Sequence, residues 1–113
     1  MSVPIALERM RCELEAAAVH LGKPHDLRFK TMFGGLMAYL DERPCAWLTA
    51  VGIALKLPAV DQSALLRVEG TFRLVAKPGA APSRHYVVLP AALGSDTMQL
   101  ACWLARSGNG ARR

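Results

Sequence analysis

Cysteine is scarce in this chain, and the few present do not pair. Cys12, Cys45 and Cys102 are odd in number, far apart and part of no C-x-x-C unit. That excludes a disulfide framework and a thiolate zinc site and predicts reduced, buried thiols. Long apolar runs are missing as well. The longest charge-free apolar stretch, Cys45 to Leu55, falls well short of the roughly 20 residues that span a bilayer. A signal peptide needs a basic start followed by an apolar core, but Glu8, Arg9, Arg11, Glu13 and Glu15 interrupt Met1 to Leu21. A cytoplasmic protein with no membrane association is expected.

Clusters of like charge are absent too. The formal net charge is +5, yet the cations are spread from Arg9 to Arg84, with Arg112 and Arg113 at the end. A generally basic, solvated surface is the expectation. A nucleic-acid-associated factor using a phosphate-binding face is the alternative.

Nor does the chain carry a recognisable catalytic constellation. His20 and His25 straddle Gly22 and Pro24, so they share no helical face, and no cluster of cysteines or carboxylates completes a metal site. His85 stands between Arg84 and Tyr86 without a paired nucleophile or orienting acid. Asp41, Glu42, Asp61, Glu69 and Asp96 fall at predicted turns and helix ends, where capping chemistry accounts for them. Gly34-Gly35 lacks the G-x-x-x-x-G-K-[ST] spacing of a phosphate loop. No enzyme activity, cofactor or metal is expected. A small-molecule-binding domain is a further alternative, resting on the loop Lys77 to Ser83 beside His85.

What is present is enough to fold. A chain of 113 residues, 52% hydrophobic and 20% charged, suits one domain with a single core, and it leaves few polar residues to cover the outside. A self-association surface is therefore expected. Leu7, Met10, Leu14, Ala17, Ala18 and Leu21 recur at spacings of three and four, predicting a helix from about Pro4 to Leu21, capped by Ser2 and stopped by Gly22. From Leu27 the pattern turns towards strands. Leu36 to Leu40, Cys45 to Val51 and Ile53 to Leu57 read as an antiparallel meander, with a tight reversal at Asp41-Glu42-Arg43-Pro44. In the second strand Ala46, Leu48 and Ala50 mark one apolar face and Cys45, Trp47 and Val51 the other.

After Pro58, a short helix is expected from an N-cap at Asp61 through Val68, with Ala64, Leu65 and Val68 inward. Strands at Thr71 to Ala76 and His85 to Leu89 then flank the Lys77 to Ser83 loop, the expected mobile segment. A last helix, Asp96 to Ala105 with Ser95 or Asp96 as cap, is apolar nearly all round. Met98, Leu100, Cys102 and Trp103 on it, together with Trp47, are the candidate dimer interface. The fold class is α+β in two layers, an antiparallel sheet of about five strands packed by helices. Residues 1–107 form the domain, and 108–113 are expected to be a disordered tail.

At Phe29-Lys30-Thr31-Met32-Phe33-Gly34-Gly35-Leu36-Met37-Ala38-Tyr39-Leu40-Asp41 the chain resembles the N-terminal domain of TfoX-type competence regulators. The hallmark of that family is a basic residue, then M-F-G-G, then an apolar-aromatic strand ending in Asp. Cys45-Ala46-Trp47-Leu48, Gly52-Ile53-Ala54-Leu55-Lys56-Leu57 and His85-Tyr86-Val87-Val88-Leu89-Pro90 follow in the family's order. Glu42-Arg43-Pro44 replaces the family's usual Asp-Gly turn. The resemblance covers roughly Arg28 to Ala105. It implies a secretion-chaperone-like fold, frequently dimeric, without enzyme activity. It makes Met32, Phe33, Gly34 and Gly35 a structural motif and the chain a stand-alone N-terminal domain, with no room for the second domain of the competence regulators. The function expected is that of a non-enzymatic regulatory or adaptor module, a homodimer that binds a protein partner in transcription or competence-type regulation.

Overall fold

Leu7, Leu14, Ala17 and Ala18 lie on one side of helix α1 (Ile5–His20) and are all buried. The three-and-four spacing therefore becomes a packing face. The polar side carries the pairs Arg9–Glu13, Arg11–Glu8 and Arg11–Glu15, each worth a few tenths of a kcal/mol. The helix ends at Gly22, where the Lys23 N–H donates back to the Ala18 carbonyl. The structure, a computed structural model, describes residues 5–23, 25–32, 34–75 and 78–111, with backbone alone for 108–111. Met1, Ser2, Pro4, Pro24, Phe33, Ala76, Lys77, Arg112 and Arg113, which figure in the expectations above, lie outside the described residues.

Among the described residues, six antiparallel strands follow in the spatial order β1-β2-β3-β4-β6-β5. They are β1 (Leu27–Met32), β2 (Gly35–Leu40), β3 (Arg43–Thr49), β4 (Gly52–Lys56), β5 (Phe72–Arg73) and β6 (Tyr86–Val88). Between β4 and β5 runs α2 (Ala59–Leu65), and after β6 come α3 (Ala91–Gly94) and α4 (Thr97–Ala111). The two-layer α+β expectation holds, with one strand more than the meander foresaw. The added strand is β1, whose half-buried Leu27 and Phe29 alternate with the exposed Arg28 and Lys30, while Thr31 beyond them is exposed as well. One face of the sheet takes the helices. Leu7 and Leu14 of α1, Leu65 of α2, Leu93 of α3, and Leu100 and Leu104 of α4 share a core with Leu36, Ala38, Leu48, Ile53, Leu55 and Val87. Each fully buried leucine contributes about 2 kcal/mol through area removed from water.

Several local expectations are corrected. Pro58, extended at φ −67°, stands at the N-cap of α2. Asp61 therefore lies in the first turn and caps nothing: proline's fixed φ starts the helix earlier. Gln62 and Leu65 are the buried residues of α2, whereas Ala64 and Val68 are exposed. Cys45 does not share a face with Trp47. The ladder shifts register between Ala38 and Tyr39, and this bulge turns Cys45 into the helix-covered core. Ala50 and Val51 belong to the β3–β4 turn, where Val51 is exposed. The β2–β3 reversal is confined to Asp41 and Glu42, at φ 53° and 65°, and Arg43 and Pro44 already belong to β3. At α4 the Asp96 carboxylate accepts from the Gln99 N–H at 3.1 Å, so Asp96 is the cap. This helix does not stop before Gly108. Ser107 is buried, its hydroxyl donates to the Leu104 carbonyl at 2.6 Å, and the helix continues to Ala111.

Candidate functional site

The opposite face of the sheet carries Trp47 and, at its β1–β2 hairpin, Gly34 and Gly35, three of the residues singled out in the sequence. Gly34 turns the β1–β2 hairpin at φ 78°, a left-handed conformation that glycine adopts without penalty. Gly35 meets a different requirement. A Cβ at this position would lie 2.3 Å from the Leu48 carbonyl oxygen and 3.1 Å from Trp47 Nε1. Its missing side chain is what admits β3 and the indole.

Cross-strand register then builds a continuous row on this face. Lys30 pairs with Met37, Met37 with Trp47, Trp47 with Ala54, Ala54 with Val88, and Val88 with Phe72. Directly opposed residues of an antiparallel ladder point to the same side. A neighbouring row holds Arg28 beside Tyr39, and Lys56 beside Tyr86. The Trp47 and Tyr86 rings meet edge to face, centroids 6.2 Å apart at 71°, and the Tyr86 hydroxyl lies 3.8 Å from Met37 Sδ. Beneath them Ala54, Leu74 and Val88 form a small second core. Among the described residues, none from a helix joins that cluster. Phe72 stands exposed at the end of this row, and a cavity of about 240 Å³ opens between Gly34, Gly35, Trp47, Thr49, Leu74 and the exposed Val51 and Val75. Burial, and then the neighbouring Cys45 and Tyr39, push the Tyr86 phenol above its ordinary pKa of 10.0.

The structure splits the candidate interface in two. Trp47 lies on the helix-free face, while the α4 candidates belong to the other layer. Leu100 is fully buried in the core and is corrected from an interface residue to a packing residue. Met98 and Cys102 are exposed. Trp103 is half-buried, with the Arg106 guanidinium 4.5 Å from its ring centroid. Two apolar stripes on α4 thus resolve into Leu100, Ala101, Leu104 and Ser107 inward, and Met98 and Cys102 outward.

The expectation of three buried thiols is corrected as well. Cys12 and Cys102 are exposed because they lie off the buried stripes of their helices. Cys45 donates to the Ala38 carbonyl, and burial pushes its thiol up to about 12, which leaves almost no thiolate to act as a nucleophile. His20, His25 and His85 are all exposed. Among the described residues, no three His, Cys, Asp or Glu side chains stand together as a metal site, and no helix is long and apolar enough to cross a membrane.

Met37, Phe72 and Tyr86 escape a reading of the sequence by segment. The period-two alternation of Tyr86 and Val88 against Val87 and Leu89 is the signal that marks β6 as two-sided. Compared with models of known protein families the chain matches none, and compared with curated protein sequences it again matches none.

Proposed function

We propose that this chain is a non-enzymatic, cytoplasmic regulatory or adaptor module that forms a homodimer and binds protein through the helix-free face of its sheet. The observation that carries this reading is the six-strand row from Lys30 to Phe72, with Met37 and Trp47 inside it and the Tyr86 ring against Trp47 from the neighbouring row. Aromatic residues, methionine and arginine are the types enriched at interface centres, where a few anchors dominate the energy. A two-fold axis through the middle of the row sets the Lys30 end of one copy against the Phe72 end of the other, which keeps the like charges apart. The resemblance at Met32 to Gly35 supplies the process served, transcription or competence-type regulation.

Light scattering at tens of micromolar tests the dimer. The wild type is expected at twice the monomer mass. Phe72→Glu, at a side chain already exposed, is expected to be monomeric, and Met98→Glu on the opposite layer to remain dimeric. A monomeric wild type overturns the reading.

One observation favours a second reading. The helix-free rows hold Arg28, Lys30 and Lys56 and no carboxylate, so the face also suits a polyanion. A nucleic-acid-associated factor would bind DNA with an affinity that falls steeply as salt rises.

A further inference from the structure

We propose that the outer edge of β1 is a strand-addition site for an extended protein segment that alternates acidic and apolar residues. The inference rests on the protein-binding reading but concerns a different surface, the edge of the sheet. β1 is the terminal strand in the order. The Asp41 N–H donates to the Asp26 carbonyl at 3.0 Å, which makes that opposed pair the hydrogen-bonded kind. By the alternation of an antiparallel ladder, Arg28, Lys30 and Met32 turn their backbone groups to β2. Leu27, Phe29 and Thr31 turn their N–H and C=O groups outward. A row of outward backbone groups is a template for another strand.

The side chains say which strand fits. A residue opposite Arg28 or Lys30 would share their side of the sheet, where both cations are exposed. Two copies of β1 paired edge to edge would bring like charges together, which is destabilising. A carboxylate at each of those positions is the complementary choice. Residues opposite Leu27, Phe29 and Thr31 would point to the helix side. There a cavity of about 540 Å³ lies between β1 and α1, lined by Arg11, Glu15, Leu27, Phe29, Thr31 and Leu36 among others. Arg11 is committed there, its guanidinium 5.6 Å from the Phe29 ring centroid and ion-paired to Glu8 and Glu15. Leu27, Phe29 and Leu36 give this cavity an apolar strip beside the polar Arg11, Glu15, Arg28 and Thr31, and apolar side chains opposite Leu27 and Phe29 would lie on that strip. Edge cations alone serve to repel other strands. Cations on one side of the strand and the Leu27, Phe29 and Leu36 strip on the other select one kind of strand.

The end-capped peptide Thr-Val-Glu-Val-Glu-Val tests this by amide exchange and NMR titration, with a version carrying Lys for both Glu as control. The expected result is slowed exchange at Leu27, Phe29 and Thr31 with the Glu peptide and none with the Lys peptide. Thr31→Pro removes an outward N–H while sparing the bonds to β2 and is expected to weaken binding about tenfold. Lys30→Glu, at an exposed side chain, is expected to weaken the Glu peptide roughly fivefold and to favour the Lys peptide. Equal binding of the two peptides, protection elsewhere, or affinity unchanged in both variants overturns the proposal. The mass of the wild type and of Phe72→Glu decides the dimer separately.

Discussion

Gly34 and Gly35 are neighbours with unlike reasons to be glycine, and substitution separates them. A Cβ at Gly34 would meet nothing within 4 Å, so Gly34→Ala carries only the left-handed backbone penalty, about 1 to 2 kcal/mol. At Gly35 the obstacle is the Leu48 carbonyl oxygen, which belongs to a central strand and cannot turn aside. Gly35→Ala is expected to cost about 3 kcal/mol, and urea denaturation of the two variants should reproduce that order. Cys45 gives a prediction in pH. Its folded pKa is raised from 9.0 to about 12 by burial, so the folded state holds a proton that the unfolded chain releases. The contribution is complete below pH 9.0 and falls away as pH climbs towards about 12. Where the gap is fully open, the loss is about 1.4 kcal/mol per pH unit. Thermal melts from neutral pH upward should show the decline, and Cys45→Ala should lessen it, leaving the part that the raised Tyr86 phenol adds above its ordinary 10.0.

Helix α2 is short, and one polar side chain ties it to the rest. Gln62 is buried; its amide donates to the Leu57 and Arg84 carbonyls at 2.7 Å each, and its oxygen accepts from Arg73. A single residue thus joins the end of β4, the edge strand β5 and the approach to β6. Gln62→Leu keeps the volume and strands those groups, so a loss of about 2 to 3 kcal/mol is expected in equilibrium unfolding. Proteolysis should begin at 78–83, the segment this clamp borders. Such a residue is hard to read in a sequence, where glutamine on a short helix looks solvated and the inward places go to Ala64 and Val68. Helix α1 is legible because its apolar spacing has one period and one face. Strand β1 carries its own signal, Leu27, Phe29 and Thr31 against Arg28 and Lys30, but the charges at every second position disguise it as a polar lead-in. The Cys45 bulge leaves no local mark, since both of its neighbours in the pattern are apolar.

Across the molecule, the two layers are foreseen from helix and strand periodicity, whereas the site depends on register. Trp47 meets Tyr86 only because β6 returns to pair with β4 instead of extending the chain's own order. Alternation within each strand cannot disclose that crossing. The same register decides how charge is distributed, and this separates the two functional readings. The net charge of +5 is spread over the chain, but the helix-free rows collect Arg28, Lys30 and Lys56. If those three cations held a single-stranded nucleic acid, counterion release would give a log–log salt slope of roughly 2, so a tenfold rise in salt would weaken binding about a hundredfold. A dimer built on Trp47, Tyr86 and Phe72 draws on apolar burial, which salt screens little and sulfate strengthens. The expected outcome is a dimer mass that persists as sodium chloride rises tenfold and grows more resistant to dilution in sulfate. Light scattering along both salt series checks it, and a dimer that dissociates in sodium chloride would move the weight of the face from its rings to its charges.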